Sequence, residues 1–246
     1  MKRSDYPKPF TTCMVDLNST AAYAAQGLAP RKYPRLLPIP YHTVSEQENR
    51  LVLEPWRKNL QLYPQLFFLT SRDVEARSGE ALADAVLGLG LGLAFSDDGV
   101  VQASPDPAPR DQLMCYWYSL YSDNAQVLAQ NMVPGLDARE LQITIESPTL
   151  GRHVFDQRVL QFDPVQLLEE MNILIAYRAY DLFALGAADA PLRVPTEQRF
   201  LPGEVITISC PQLGTMEISV DDRRDPDVRI AGWKPRAYFL EPEYAG

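Results

Sequence analysis

The sequence predicts a strand-rich α+β fold, and three stretches carry that expectation. Residues 59–71, NLQLYPQLFFLTS, hold no ionised side chain in a chain of which 22% is charged. Aromatic and branched residues crowd around Pro64, and no helical period survives the proline, so the run reads as a strand with Tyr63, Gln65 and Phe67 on one face and Pro64, Leu66 and Phe68 on the other. Residues 87–98, LGLGLGLAFSDD, repeat glycine at 88, 90 and 92 with the two-residue period of a strand. Against these, DPVQLLEEMNILIAYRAY (163–180) has proline at a first helical position and leucines at helical spacing.

The remaining elements follow in order. TTCMVDL (11–17) is expected as a strand leading to Asn18, an N-cap for the STAAYAAQ helix that Gly27 ends. The prolines between Ala29 and Pro40 argue against regular structure there. Pairing resumes with RLVLEP, and GEALADAVLG is expected as a short helix. ASPDPAP (103–109) is a loop, and DQLMCYWYSLY after it an aromatic helix or irregular cap that would serve as a lid. QVLAQNMVP, LQITIES, the TLGR turn and HVFDQRVLQF read together as an antiparallel meander. YDLFALG, PGEVITISC and GTMEISV close the fold as strands, and DDRRDPD reads as a solvated mixed-charge turn. With no repeat and no long linker, residues 1–246 are expected as one domain, with an irregular segment at 1–10 and a tail at 222–246.

Composition narrows the function classes. A formal charge of -9 with no basic stripe argues against nucleic acid. No apolar run has membrane-spanning length, and MKRSDYPKPFTTC lacks the apolar core of a signal peptide, so no membrane partner and a cytoplasmic location are expected. Cys13, Cys115 and Cys210 lack metal or disulfide spacing, and His42 and His153 complete too small a set of soft ligands. A Cys115 nucleophile with a His153 base is set aside for buried, structural thiols. The glycine repeat runs into more strand, without the helix that a dinucleotide site requires.

The order and spacing of MVDLNSTAAYAAQ, KYPRLLPIP, RLVLEPWRKNLQLYPQL, GLAFSDD, TLGR, YDLFALGAADA and FLPGEVITISCPQLGTMEISV resemble the fumarylacetoacetate hydrolase family, over residues 11–221. That family includes acylpyruvate hydrolases, oxaloacetate and related decarboxylases, and 2-oxopentenoate hydratases. The resemblance implies a mixed β-roll with flanking short helices, a dimer, and Mg²⁺ or Mn²⁺ held by two glutamates and an aspartate, which chelates a 2-oxo acid and stabilises its enolate.

The resemblance also implies that the chemistry has been replaced. Asn18 remains, but the family's histidine falls on Ala22 and its lysine on Ile39. Its two glutamates fall on Tyr63 and Gln65, and its Asn-Asp pair on Asp97 and Asp98, so Asp98 alone survives of the three ligands. The second lysine falls near Leu120, Asp123 persists, and the Gly-Thr-Pro turn becomes Gly186, Ala187 and Ala188. One carboxylate with an amide and a phenol is a poor magnesium site. The expectation is therefore no metal and no cofactor, with Asp98, Tyr63 and Gln65 as candidate catalytic groups and Ala22, Ile39, Leu120 and Asp123 lining a greasier pocket. Tyr116, Trp117, Tyr118 and Tyr121 are candidates for its mouth. Two functions follow: metal-independent isomerisation, cyclisation or elimination on a hydrophobic carbonyl-bearing small molecule, in a homodimer, or a non-catalytic subunit paired with an active relative. The ordinary family reaction on a 2-oxo acid ranks third, since Glu46, Glu48 and Glu54 lie off the key strand.

Overall fold

A computed structural model describes residues 1–25, 27–45, 49–79, 81–97 and 126–227, the side chain of His42 excepted. The expected lid, with Asp98, Leu120 and Asp123, lies outside the described residues. The strands are β1 (Thr12–Val15), β2 (Leu36–Pro38), β3 (Val44–Ser45), β4 (Arg50–Leu53), β5 (Leu60–Thr70), β6 (Val86–Asp97), β7 (Gln126–Val133), β8 (Gln142–Ser147), β9 (Gly151–Asp156), β10 (Leu182–Ala184), β11 (Leu192–Val194), β12 (Val205–Cys210) and β13 (Gly214–Asp222). The helices are α1 (Thr20–Ala25) and α2 (Pro164–Asn172). An eight-stranded mixed sheet runs β2-β1-β10-β5-β6-β7-β3 with β11 also on β5, and a five-stranded sheet runs β4-β13-β12-β8-β9.

β5 and β6 form the spine, antiparallel from Leu60↔Asp97 to Thr70↔Val86. Leu60, Leu62, Leu66 and Phe68 enter a large apolar cluster together with Ile143, Ile145, Ile206 and Ile208 of the second sheet. Tyr63, Phe67 and Leu69 enter a second cluster with Met14, Ala22 and Ile39. Every residue of β5 is buried, which is why its sequence reads as a nearly unbroken apolar run rather than an alternation.

Pro64 is tolerated inside this strand because the ladder is interrupted beside it. β11 pairs with Leu60–Leu62 and β10 with Phe67–Leu69, leaving residues 63–66 between the two partners. On β6, an added Cβ at Gly90 would lie 2.4 Å from Cζ of Phe67. The glycine therefore makes room for an aromatic ring across the strand pair.

Several elements depart from the sequence expectations. Asn18 does not cap α1. Ser19 does, its hydroxyl accepting from the Ala22 amide, while Gly27 at φ +67 ends the helix as expected. The proline-rich segment forms β2 after all, paired antiparallel with β1. GEALADAVLG yields one 3₁₀ turn, Ala83–Ala85, because strand β6 begins at Val86. The meander splits, since β7 pairs with β6 in the large sheet whereas β8 and β9 form a hairpin in the small one.

α2 has the expected Asp163–Gln166 capping box and proline, but ends at Asn172, where Arg77 donates from its amide to Asn172 O and from Nε to Ile173 O. The DDRRDPD segment is solvated only in part, with Arg223, Asp225, Pro226 and Asp227 exposed. Its Asp222 and Arg224 form a buried pair, Nε and Nη2 of Arg224 lying 3.0 and 2.9 Å from the Asp222 carboxylate. The remaining guanidinium donors reach Lys58 O and Gln198 O, so this pair ties the end of β13 to the entrance of β5.

Candidate functional site

The site expected around β5 is organised by the strand's two-residue period. Tyr63 and Gln65 share a face of β5 and stand opposite Ala94 and Gly92 of β6, small residues that leave room for both side chains. Gln65 is fully buried. Its Oε1 accepts the Gly186 amide at 3.1 Å, which fixes the orientation of the carboxamide, and its Nε2 has no hydrogen-bond partner among the described residues. The loop that supplies Gly186 connects β10 to β11 across the gap beside Pro64. Here an added Cβ would lie 1.9 Å from Val15 O, and φ is +71, so only glycine fits. Of the turn residues Gly186, Ala187 and Ala188, Gly186 meets Gln65 through its amide, while Ala187 and Ala188 are buried in separate apolar clusters.

Tyr63 is 4% exposed, and its hydroxyl donates to Gln61 Oε1 at 2.5 Å and lies 3.2 Å from Ser96 Oγ. Gln61 and Ser96 face each other in the β5–β6 register, one step along from Tyr63. Gln126, opposite Ala94, is buried on the same face, its Nε2 lying 3.7 Å from Met14 Sδ. These three polar residues escaped the sequence reading. Gln61 had a usable signal, because the period that aligns Tyr63 with Gln65 also aligns Gln61. Ser96 and Gln126 come from other strands, and only the register brings them in.

Ala22 and Ile39 pack with Tyr63 in one apolar core cluster that also contains Met14, Leu17 and Ala187. Ala22 is 0% and Ile39 4% exposed. Asn18 is structural: its amide donates to Phe162 O and Leu185 O and accepts from Phe162 N, each at 2.8 Å. Cys13 is no nucleophile, because burial, with Asp181 adding to it, pushes its thiol up to about 11. His153 is exposed and 2.8 Å from Leu150 O, and Cys115 lies outside the described residues.

Residues 56–58 run beside the end of β6, and here a cation is buried. The Arg57 guanidinium lies 4.6 Å from the ring centres of both Trp56 and Phe95, and its Nε and Nη1 have no hydrogen-bond partner among the described residues. Burial lowers its pKa to about 10 against the opposing pull of Asp97 and Glu54. Asp97 in turn accepts the Lys58 amide at 3.1 Å.

No family model and no curated protein matches the sequence. Solved structures do match the fold. 5-Carboxymethyl-2-hydroxymuconate delta-isomerase from Mycobacterium smegmatis is 16% identical, with a TM-score of 0.67 over 87% of this chain and 78% of that one. A protein ascribed to the fumarylacetoacetate hydrolase family in Yersinia pestis CO92 has a TM-score of 0.67 at 15% identity, over 88% of this chain and 95% of that one. The fold is that of the fumarylacetoacetate hydrolase family. Maleylpyruvate hydrolase from Sphingobium sp. SYK-6, in complex with manganese(II) ion and pyruvate, aligns over 88% of this chain and 72% of its own, with a TM-score of 0.64 and 17% identity.

Two of the three expected ligand positions of this fumarylacetoacetate hydrolase-like chain, Tyr63 and Gln65, lie among the described residues and carry side chains that do not suit a hard divalent ion. Such an ion needs several oxygen ligands with concentrated negative charge. Gln65 has committed its oxygen to Gly186, and the atom left without a partner is an N–H donor, which a cation repels. Tyr63 is a phenol with its proton on Gln61. Among the described residues, no group of three or more His, Cys, Asp or Glu is placed to hold a metal.

Proposed function

We propose that this chain is a fumarylacetoacetate hydrolase-fold protein that has given up the divalent metal and uses the face of β5 to bind a hydrophobic, carbonyl-bearing small molecule for isomerisation, cyclisation or elimination. The observation that carries this reading is the oriented, buried Nε2 of Gln65. An unsatisfied donor at full burial costs about 1–3 kcal/mol, and a ligand carbonyl or enol oxygen would remove that cost. The group is preorganised, because Gly186 holds the far end of the carboxamide. In this reading Gln61 and Ser96 hold the Tyr63 hydroxyl beside the donor, Ala22 and Ile39 supply apolar walls, and Asp98, directly after β6, serves as the base with Leu120 and Asp123 completing the pocket. Structural neighbours named as an isomerase and a hydrolase support the view that this fold serves more than one reaction of oxygen-bearing carbon skeletons.

A thermal-shift screen with apolar ketones, enones and β-dicarbonyls tests the proposal. Stabilisation is expected in the wild type and not in Gln65→Leu, with manganese and EDTA without effect on the wild type. Turnover of an acylpyruvate that EDTA abolishes would overturn it.

A second reading is favoured by how closely the same face is filled. Ala22, Ile39 and Tyr63 are each at most 4% exposed, and Phe67 covers Gly90 of β6. A site closed in this way suits a non-catalytic subunit paired with an active relative. Co-purification with a catalytic chain, together with no response to any carbonyl compound, would favour this second reading over the first.

A further inference from the structure

The connection from β5 to β6 carries an inference independent of the Gln65 face. Where it meets the C-terminal end of α2, a cleft of about 340 Å³ opens, lined by Arg77, Gly79 and Leu82 from the connection and by Glu169, Asn172 and Ile173 from the helix end. Positions 169, 172 and 173 are spaced i, i+3 and i+4, so they share one face of the helix. Leu82 belongs to the large apolar cluster, whereas Tyr63 and Phe67, which flank Gln65, belong to the second one, so the cleft is separate from the proposed β5 site.

One wall of this cleft is firmly built. Asn172, 6% exposed, donates from Nδ2 to Glu75 O at 2.9 Å, and its Oδ1 accepts the Ser78 amide at 3.1 Å and the Ser78 hydroxyl at 3.2 Å. Arg77 adds its own amide to Asn172 O at 2.7 Å and its Nε to Ile173 O at 3.1 Å. To do so it holds φ at +56, a left-handed conformation that side chains other than asparagine and aspartate seldom take, and such outliers gather at functional sites. The Nε contact fixes the plane of the guanidinium. Gly79, with nothing within 4 Å of where a Cβ would stand, leaves the cleft open. Two charges are then left over, since Nη1 and Nη2 of Arg77 and the Glu169 carboxylate have no hydrogen-bond or ion-pair partner among the described residues and do not pair with each other. Leu82, 2% exposed, and Ile173, 55% exposed, supply apolar surface between them.

We infer that this cleft binds a free apolar α-amino acid, its carboxylate on the Arg77 guanidinium, its ammonium on Glu169 and its side chain against Leu82 and Ile173. The guanidinium fork matches a carboxylate in two parallel hydrogen bonds. An amine without a carboxylate would meet Arg77 as a like charge, and a carboxylate without an amine would meet Glu169 in the same way, so the two walls together select a zwitterion. The volume lies at the lower end of small-molecule pockets, which suits a ligand of this size.

Isothermal titration calorimetry of the full chain with L-leucine, 4-methylpentanoate, which lacks the ammonium, and 3-methylbutylamine, which lacks the carboxylate, tests this directly. Saturable binding of leucine with a Kd of about 1 mM or tighter is expected, with each analogue weaker by about tenfold or more. Glu169 is exposed, so Glu169→Gln should fold normally, weaken leucine by about tenfold or more and bring leucine and 4-methylpentanoate close together. Arg77→Gly removes the guanidinium while suiting the backbone at φ +56, and a folded variant without leucine binding is expected, its fold checked by far-ultraviolet circular dichroism. Absence of saturable leucine binding up to about 20 mM overturns the inference. So does equal binding of leucine and 4-methylpentanoate by the wild type, or leucine affinity that Glu169→Gln leaves unchanged, because the ammonium would then go unrecognised.

Discussion

Gly186 gives its backbone N–H to Gln65 Oε1 at 3.1 Å, across 121 residues of sequence. The contact exists because the β10–β11 connection crosses the interrupted ladder beside Pro64 and brings an amide to the buried face of β5. It converts a symmetric carboxamide into a one-sided group whose free atom is a donor. Replacing Gly186 is therefore expected to damage the fold and the site together. Gly186→Ala puts a Cβ against Val15 O in a left-handed conformation, and should destabilise by about 3 kcal/mol or more in urea unfolding.

Gln65 itself separates stability from binding. Gln65→Leu removes the orphaned donor but also leaves the Gly186 amide without its acceptor. The two effects are each about 1–3 kcal/mol and oppose one another, so the net change should be within about 1 kcal/mol. A loss of ligand response with an almost unchanged unfolding midpoint is the expected result. Gln65→Glu keeps the shape and the acceptor, but buries an unpaired charge, and should destabilise by several kcal/mol unless the carboxyl is protonated.

Much of this arrangement is legible in the sequence, and the illegible part has a common cause. The apolar run around Pro64, the alternating glycines and the Asp163–Gln166 cap are local signals, and all three reappear as β5, β6 and α2. Asn18 and Ser19 are equally good caps by propensity. The choice falls to Ser19 because Phe162 and Leu185, more than 140 residues away, claim the Asn18 amide. The same holds for β7, whose pairing with β6 rather than β8 depends on sheet membership that no local pattern encodes. At the site, Tyr63 and Gln65 come from one strand and its period, whereas Ser96 and Gln126 enter through register alone.

The run DDRRDPD shows how charge patterning misleads when a pair is bidentate. Asp222 is buried, which by itself raises its pKa, but the Arg224 guanidinium and the Phe200 amide outweigh this and hold it below the ordinary carboxylate value. Glu204 has the same balance, burial being overcome by the Thr149 and Ser147 hydroxyls and the Leu201 and Thr149 amides. Groups whose folded pKa is depressed contribute stability above their unfolded pKa and lose it as pH falls through the folded value. The unfolding temperature is thus expected to be flat near neutrality and to drop as pH falls through and below the ordinary carboxylate range. Glu204→Gln should be less stable at neutral pH and show a shallower acid slope.

Arg57 offers a test of a buried cation held by stacking. Its planar group lies 4.6 Å from the Trp56 and Phe95 rings, in the field of Asp97 and Glu54, without hydrogen bonds from Nε or Nη1 among the described residues. A lysine retains the charge but not the plane, so Arg57→Lys should cost about 1–2 kcal/mol. Arg57→Ala also opens a void and removes a cation that interacts with Asp97, and about 3–5 kcal/mol is expected. Urea midpoints for the pair of variants decide it. No loss in Arg57→Lys would mean that charge alone matters, and equal losses that the charge contributes nothing.

Phe67 and Gly90 provide a coupled pair. A Cβ at Gly90 would approach the Phe67 ring to 2.4 and 2.5 Å, and that ring is fully buried, so it has nowhere to move. Gly90→Ala should destabilise by about 1–3 kcal/mol through overpacking. Phe67→Leu alone should cost about 1–2 kcal/mol, because it leaves a gap over the glycine. Leucine lacks the distal ring carbons, so the double variant relieves the clash and partly refills the gap. Its loss should be smaller than the sum of the single losses by at least about 1 kcal/mol, the scale of coupling between touching core residues. Strictly additive losses in a double-mutant cycle would mean that the glycine serves strand geometry instead of the ring.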